Sequence, residues 1–442
     1  MGAEPVHRHV SQADACARPR EVAPSASGSS WLVEQIAQFA RFGAEEGGGV
    51  TRLAYSDADV QARRWFLRLC REMDLDVRID PVGNIIARRP GLAPDLPAVA
   101  MGSHLDTVIR GGHYDGVLGV VAALDVIRRL QQRHIQTVHP LEVLVFAAEE
   151  STRFGVATIG SKAMAGLLDA ERAASWRDRE GRTFAEVLAA RGLDLCAAPS
   201  ARRMEGELRA FLELHIEQGP ELEASGLQIG VVHAIAAPTR LRVRVEGTPG
   251  HSGTTPMALR QDALAAAAEV VLAVERLARA ETEHRSVGTV GVLQTEPGSP
   301  NTIPGRVEMV AEFRSVDAEA KRRLVAQLMH EIHEIEHARG VRAEVEVLSD
   351  ESPVRLDGDI RRCIARVCAD RGIRWQEMAS GAGHDAMNMA RLCPAGLVFI
   401  PCRGGISHHP DEYAREEDMQ TGVDVLLDTV LALAGARQEG EP

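Results

Sequence analysis

Arg240-Leu241-Arg242-Val243-Arg244-Val245-Glu246 alternates charged and aliphatic side chains at every step, the mark of a strand with one buried and one wet face. Working outward from it, residues 258–280 form an Ala- and Leu-rich helix, and residues 287–293 and 307–313 read as two more strands. Residues 317–339 make a charged amphipathic helix, and 341–347 alternate again. Strand, helix, strand, strand, helix, strand is the order of a ferredoxin-like split βαβ unit, an α+β module of about a hundred residues.

The flanks read differently. From Trp31 to about His233, apolar runs such as Pro97–Gly102 and Leu141–Ala148 alternate with helical periods such as Gly116–Leu130, which is the pattern of an α/β layered fold. The same pattern resumes after Pro353, with a strand near Gly396–Ile400 and a helix near Asp418–Ala434. The expected organisation is therefore an α/β domain over 31–233 and 350–442, with an α+β domain over 234–349 inserted into it. Residues 1–30 are rich in small polar residues and turn formers and are expected to form a flexible extension.

Composition narrows the function. Fifty Lys and Arg against 63 Asp and Glu give a net charge of −13, which disfavours nucleic acid and anionic lipid as partners. No apolar run approaches the roughly 18 to 20 residues of a membrane span, and the N-terminal stretch lacks a signal-like apolar centre. The seven cysteines are scattered without a CxxC pair, so a reducing cytoplasm is the expected compartment.

Four stretches place metal-ligand types at the ends of apolar runs. They are Gly102-Ser103-His104-Leu105-Asp106-Thr107, continued by Gly111-Gly112-His113-Tyr114-Asp115-Gly116; Phe146-Ala147-Ala148-Glu149-Glu150; Leu212-Glu213-Leu214-His215-Ile216-Glu217-Gln218-Gly219; and Gly404-Gly405-Ile406-Ser407-His408-His409-Pro410. Strand ends of an α/β sheet converge on one crevice, so the set His104, Asp115, Glu150, His215 and His408 has the composition of a centre for two divalent ions, Zn²⁺, Mn²⁺, Co²⁺ or Ni²⁺. Asp106, two residues after His104, is suited to accept the other imidazole N–H. Sequence alone leaves His408 and His409 open as the ligand.

The order His-x-Asp-Thr, Gly-Gly-x-Tyr-Asp-Gly, Glu-Glu-Ser, Leu-His-Ile-Glu-Gln-Gly-Pro and Ile-Ser-His resembles the di-metal amidohydrolase branch of the M20 peptidase superfamily. That branch holds N-carbamoyl-L-amino-acid hydrolases, β-ureidopropionases and allantoate amidohydrolases. The resemblance implies a metal-dependent aminopeptidase-like catalytic domain whose insert serves as lid and homodimerisation domain. It implies Asp115 as the carboxylate shared by two ions, with His104 and His215 on one and Glu150 and His408 on the other. Glu149 becomes the general base that carries a proton from the attacking water to the leaving nitrogen. Peptidase-like relatives usually carry a carboxylate where this chain has His215, which points to the ureido-hydrolysing branch.

Further candidates should meet substrate. His251 lies in the Gly- and Pro-bounded loop 247–256, Asn301 between Pro300 and Pro304, and Arg314 at a strand end. By resemblance, His251 polarises the scissile carbonyl, Asn301 contacts an amide and Arg314 clamps the substrate carboxylate. Gln218 is placed to bond a ureido group, and His384, opening a helix, is either a substrate contact or a helix-terminal polar residue. The expected function is hydrolysis of the C–N bond of an N-carbamoyl or related ureido acid, releasing ammonia and CO₂. The alternatives are an aminoacylase or dipeptidase with the same metals, and a non-catalytic binding protein on the same fold.

Overall fold

The structure is a computed structural model that describes residues 30–438; the expected N-terminal extension lies, save for Ser30, outside the described residues. A nine-stranded sheet runs in the order Asp76–Ile79, Ile85–Arg89, Leu141–Phe146, Ala98–His104, Leu208–Ile216, Ala395–Ile400 and Ile229–Ile235. Val354–Arg355 and Trp375–Ser380 both pair with Ile229–Ile235. The four adjacent strands Leu141–Phe146, Ala98–His104, Leu208–Ile216 and Ala395–Ile400 are mutually parallel. Their C-terminal ends therefore open on one edge, where ligand crevices of such sheets form.

Leu141–Phe146, like Ala98–His104, is buried along its whole length because both sheet faces are covered. On one face lie the helices Trp31–Ala40, Asp57–Glu72, Val117–Gln132, Gly358–Asp370 and Glu416–Ala434, whose apolar stripes join a common core. The short helices Ile159–Met164 and Asp385–Met389 contribute to a second core on the other face. Glu142, the one charge in Leu141–Phe146, is satisfied there by Arg88 and Arg203 at 2.7 and 2.9 Å.

A separate four-stranded antiparallel sheet has the order Val287–Glu296, Arg306–Ser315, Ala237–Glu246, Arg342–Asp350. Leu241, Val243 and Val245 pack with Val307, Met309 and Phe313 beneath the helices Ala263–Ala280 and Ala318–Arg339. The alternate residues Arg240, Arg242 and Arg244 turn outward and pair with Glu312, Glu346 and Glu308. The first of these helices starts five residues later than its composition suggests. Asp262 accepts the Leu264 and Ala265 backbone N–H groups and so fixes the start, leaving Met257–Leu259 as a separate 3₁₀ turn. Ile229–Ile235 belongs to the large sheet and Ala237–Glu246 to the small one; Arg342–Asp350 ends the small sheet and Val354–Arg355 re-enters the large. Among the described residues no helix is long and apolar enough to cross a membrane.

Candidate metal centre

Asp115 divides its two carboxylate oxygens between two groups of side chains. Oδ1 lies 3.4 Å from His104 Nε2 and 3.2 Å from His215 Nε2, while Oδ2 lies 3.2 Å from His408 Nε2. Glu150 Oε1 is 3.4 Å from the same His408 nitrogen. Two ligand atoms held about 2.0 to 2.2 Å from one ion sit roughly 3.0 to 3.5 Å apart, so each group has the spacing of a shared cation. The sets His104, Asp115, His215 and Asp115, Glu150, His408 thus meet at one carboxylate. His409 is not part of it: its Nδ1 accepts the Asp411 backbone N–H and its side chain is exposed.

The backbone dictates this convergence. His104 ends its strand, His215 lies at the end of the next strand, and Glu149 and His408 follow the ends of two others. Asp115 precedes the helix Val117–Gln132 across Gly116, whose φ of 67° and closeness to His104 leave no room for a side chain: a Cβ would fall 2.4 Å from the imidazole. His104 Nδ1 lies 3.0 Å from the Asp106 carbonyl and His215 Nδ1 2.9 Å from the Ile216 carbonyl. Both rings thereby turn Nε2 toward Asp115, the orientation a ligand nitrogen needs.

The expected role of Asp106 needs correction. Its carbonyl, not its carboxylate, meets His104, because Oδ1 lies 3.9 Å from Nδ1 while the carbonyl lies 3.0 Å away. The carboxylate instead accepts the Glu149 and Glu150 backbone N–H groups at 3.2 and 3.0 Å. Asp106 thereby ties the loop that bears His104 to the loop that bears both glutamates.

Acid groups crowd this floor. Burial would raise Asp115, but hydrogen bonds from His104, His215 and His408 hold it well below the usual carboxylate range. Burial, with Glu150, Asp385 and Asp106 nearby, pushes Glu149 well above its ordinary value, and burial beside Asp115 pushes Glu150 to about 7. Glu412 is raised in the same way by burial and Asp115. Carboxyls packed so closely without Lys or Arg among their partners constitute a donor set for cations, and the mixed N and O ligands suit a borderline divalent ion.

Gln218, the expected ureido contact, donates its Nε2 to Asp115 Oδ2 at 2.8 Å and to Ser407 Oγ at 3.1 Å. Its buried carbonyl oxygen has no partner among the described residues. His384 occupies the N-cap position of the helix Asp385–Met389 without capping it. Its Nε2 lies 2.9 Å from Ser380 Oγ and its ring stands 4.6 Å from that of His215, and burial and His215 lower its pKa well below the ordinary value, so it is neutral. Two acids escaped the sequence reading. Glu213 accepts Ser103 Oγ and the Ala386 backbone N–H, and its only signal was a charge inside the apolar run Leu212–Leu214. Glu412 accepts the backbone N–H of Tyr114 and Asp115 and the hydroxyl of Ser407; nothing in Pro410-Asp411-Glu412 marks it.

The remaining candidates lie on the small-sheet segment. His251 and Asn301 are neighbours: Gly250–His251 pairs with Thr302–Ile303, and the Ser252 N–H donates to the Asn301 carbonyl. Both are exposed, and among the described residues neither bonds to the carboxylate cluster. Arg314 is partly engaged, its Nε donating to Glu312 Oε1 at 2.5 Å and its Nη1 to the Gly381 carbonyl at 3.3 Å, beside the loop that carries His384.

The family model for peptidase family M20/M25/M40 matches residues 100–432. This chain belongs to the M20 peptidase family. The M20 chain is 38% identical to an N-carbamoyl-L-amino acid amidohydrolase of Geobacillus stearothermophilus, over 91% of its own length and 98% of the relative's. It is likewise 38% identical to a ureidoglycolate hydrolase of Arabidopsis thaliana, over 91% and 86%. Among solved structures, a hydantoinase/carbamoylase family amidase from Burkholderia multivorans matches at TM-score 0.84 and 36% identity, covering 91% of this chain and 97% of that one. The M20 chain is an amidohydrolase, and the non-catalytic reading is set aside.

Proposed function

We propose that this M20 amidohydrolase cleaves the C–N bond of an N-carbamoyl or related ureido acid and releases ammonia and CO₂. The observation that carries the reading is the division of the Asp115 oxygens between His104 with His215 and His408 with Glu150. Those five residues would hold two divalent ions. When bound, such ions acidify water and polarise a carbonyl oxygen. Glu149, buried 3.8 Å from His104 Nε2 but outside both ligand groups, is the base that takes a proton from the attacking water and delivers it to the leaving nitrogen.

The unpartnered Gln218 carbonyl favours a substrate bearing N–H groups, which a ureido compound supplies and an N-acyl group lacks on its outer side. The names of the relatives add carbamoyl amino acids and ureidoglycolate to the substrates worth testing. His251, Asn301 and Arg314 would bind substrate from the inserted domain, His251 at the carbonyl and Arg314 at the carboxylate, which requires that domain to close over the site or a second copy to supply them. A homodimer through the insert and a cytoplasmic location, in keeping with a sequence that has no CxxC pair, complete the proposal.

The test is ammonia release by protein loaded with Zn²⁺, Mn²⁺, Co²⁺ or Ni²⁺, on N-carbamoyl-L-amino acids, 3-ureidopropionate, allantoate and ureidoglycolate, beside N-acetyl amino acids. Turnover of a ureido substrate that chelation abolishes is expected. Turnover of N-acetyl amino acids alone, or full activity in metal-free protein, would overturn the reading.

A further inference from the structure

Asp115 Oδ2 has two lone pairs. Gln218 Nε2 occupies one at 2.8 Å, so only the other is open toward His408 and Glu150. Ser407 competes for it: its hydroxyl oxygen stands 3.3 Å from Asp115 Oδ2 and 3.0 Å from Glu412 Oε2, and it has one proton to give. The direction of that proton decides whether Asp115 keeps a lone pair for a cation.

Glu412 is built into place. Its Oε1 accepts the Tyr114 and Asp115 backbone N–H groups at 2.9 and 3.1 Å, which fills that oxygen and leaves Oε2 for Ser407. Its side chain is buried against residue 112, where only glycine fits: a Cβ on Gly112 would fall 2.1 Å from Glu412 Oε1. Gln218 donates to Ser407 as well as to Asp115, so the hydroxyl receives one proton from Gln218 and passes its own onward.

We infer that Glu412 is a positioning residue for the candidate metal centre, which draws the Ser407 proton toward itself and so keeps the second lone pair of Asp115 Oδ2 available to a divalent ion. The inference rests on the metal-dependent reading above. It concerns metal affinity and not a step of the reaction.

Glu412→Gln separates this role from bracing the loop. The amide oxygen can still accept both backbone N–H groups, but the amide nitrogen cannot accept from Ser407, whose proton must then turn to Asp115. Apo protein titrated with Zn²⁺ against a chromophoric chelator should show one equivalent weakened by about 10- to 100-fold, the usual effect of losing an outer partner of a ligand. Apo thermal melting should stay at the wild-type value. In a Ser407→Ala background the effect of Glu412→Gln should vanish, because no hydroxyl remains to be misdirected, and Ser407→Ala alone should bind at least as tightly as wild type.

Unchanged affinity in Glu412→Gln, an equal loss with and without Ser407, or a tenfold loss in Ser407→Ala alone overturns the inference and leaves the amidohydrolase reading standing. A wild-type protein that takes up no Zn²⁺ sinks the metal reading, and this inference with it. Should Glu412→Gln not fold, the Ser407→Ala titration still decides.

Discussion

The Glu150 backbone N–H donates to Asp106 Oδ2 at 3.0 Å, so a residue two places beyond His104 sets where the glutamate pair begins. Asp106→Asn should therefore act at a distance. One carboxylate oxygen becomes an N–H₂ group that faces a second N–H donor, and the glutamates lose their seat. We expect kcat/KM to fall by about 10- to 100-fold with metal affinity lowered in step. A variant at the wild-type rate would show that the bond does not position the loop.

Glu149→Gln keeps the shape of the side chain and removes the proton carrier. Since Glu149 lies outside both ligand groups, metal content should match wild type while kcat drops by at least about 100-fold. Metal analysis beside steady-state kinetics checks this. If Glu149→Gln lost metal and Glu150→Gln kept it, the roles of the adjacent pair would be exchanged.

Arg314 offers a planar fork, but Glu312 already holds its Nε, so only the remaining donors can face a substrate carboxylate. Arg314→Ala and Arg314→Lys should each lower kcat/KM on a ureido acid by roughly tenfold or more, the effect of losing a charge-assisted pair of about 2 to 5 kcal/mol. On the corresponding amide the loss should shrink. Equal losses on acid and amide would place Arg314 in the stability of the small sheet instead.

Glu312 supplies a pH test of that sheet. Burial would raise its carboxyl, but Arg314 and Arg240 hold it below the ordinary value. A depressed carboxylate adds stability above its unfolded pKa and loses it as pH falls through its folded pKa. Glu312→Gln should therefore lower the melting temperature at pH 7 and do so less at about pH 3.5, below the unfolded pKa of roughly 4.3. A difference that grows on acidification would reverse the sign of the interaction.

The sequence carried the architecture because its signals were periodic. Arg240–Glu246 alternates and the structure buries alternate members; Leu141–Phe146 is apolar throughout and is covered on both faces. The sites where ligand types gather were equally visible, since they follow apolar strands. Hydrogen-bond direction was not. Whether Asp106 meets His104 by carbonyl or carboxylate depends on a loop conformation, and Gln218 adopts a left-handed φ of 58° that turns its amide toward Asp115. Glu412 was illegible because its partners are backbone N–H groups almost three hundred positions earlier, at Tyr114 and Asp115.

Ala395–Ile400, the strand that leads to His408, lies between Leu208–Ile216 and Ile229–Ile235 although it leaves the ribosome long after both. The middle of the large sheet must stay open, or reopen, while the small four-stranded unit is completed. A nascent chain that has reached residue 350 can gather His104, Asp115, Glu150 and His215, but it lacks the segment that brings in the fifth side chain. The centre is thus completed only by the C-terminal part of the chain, and a chain cut short before Ala395–Ile400 would leave an exposed acidic cleft flanked by unpaired strand edges, the kind of surface on which aggregation starts.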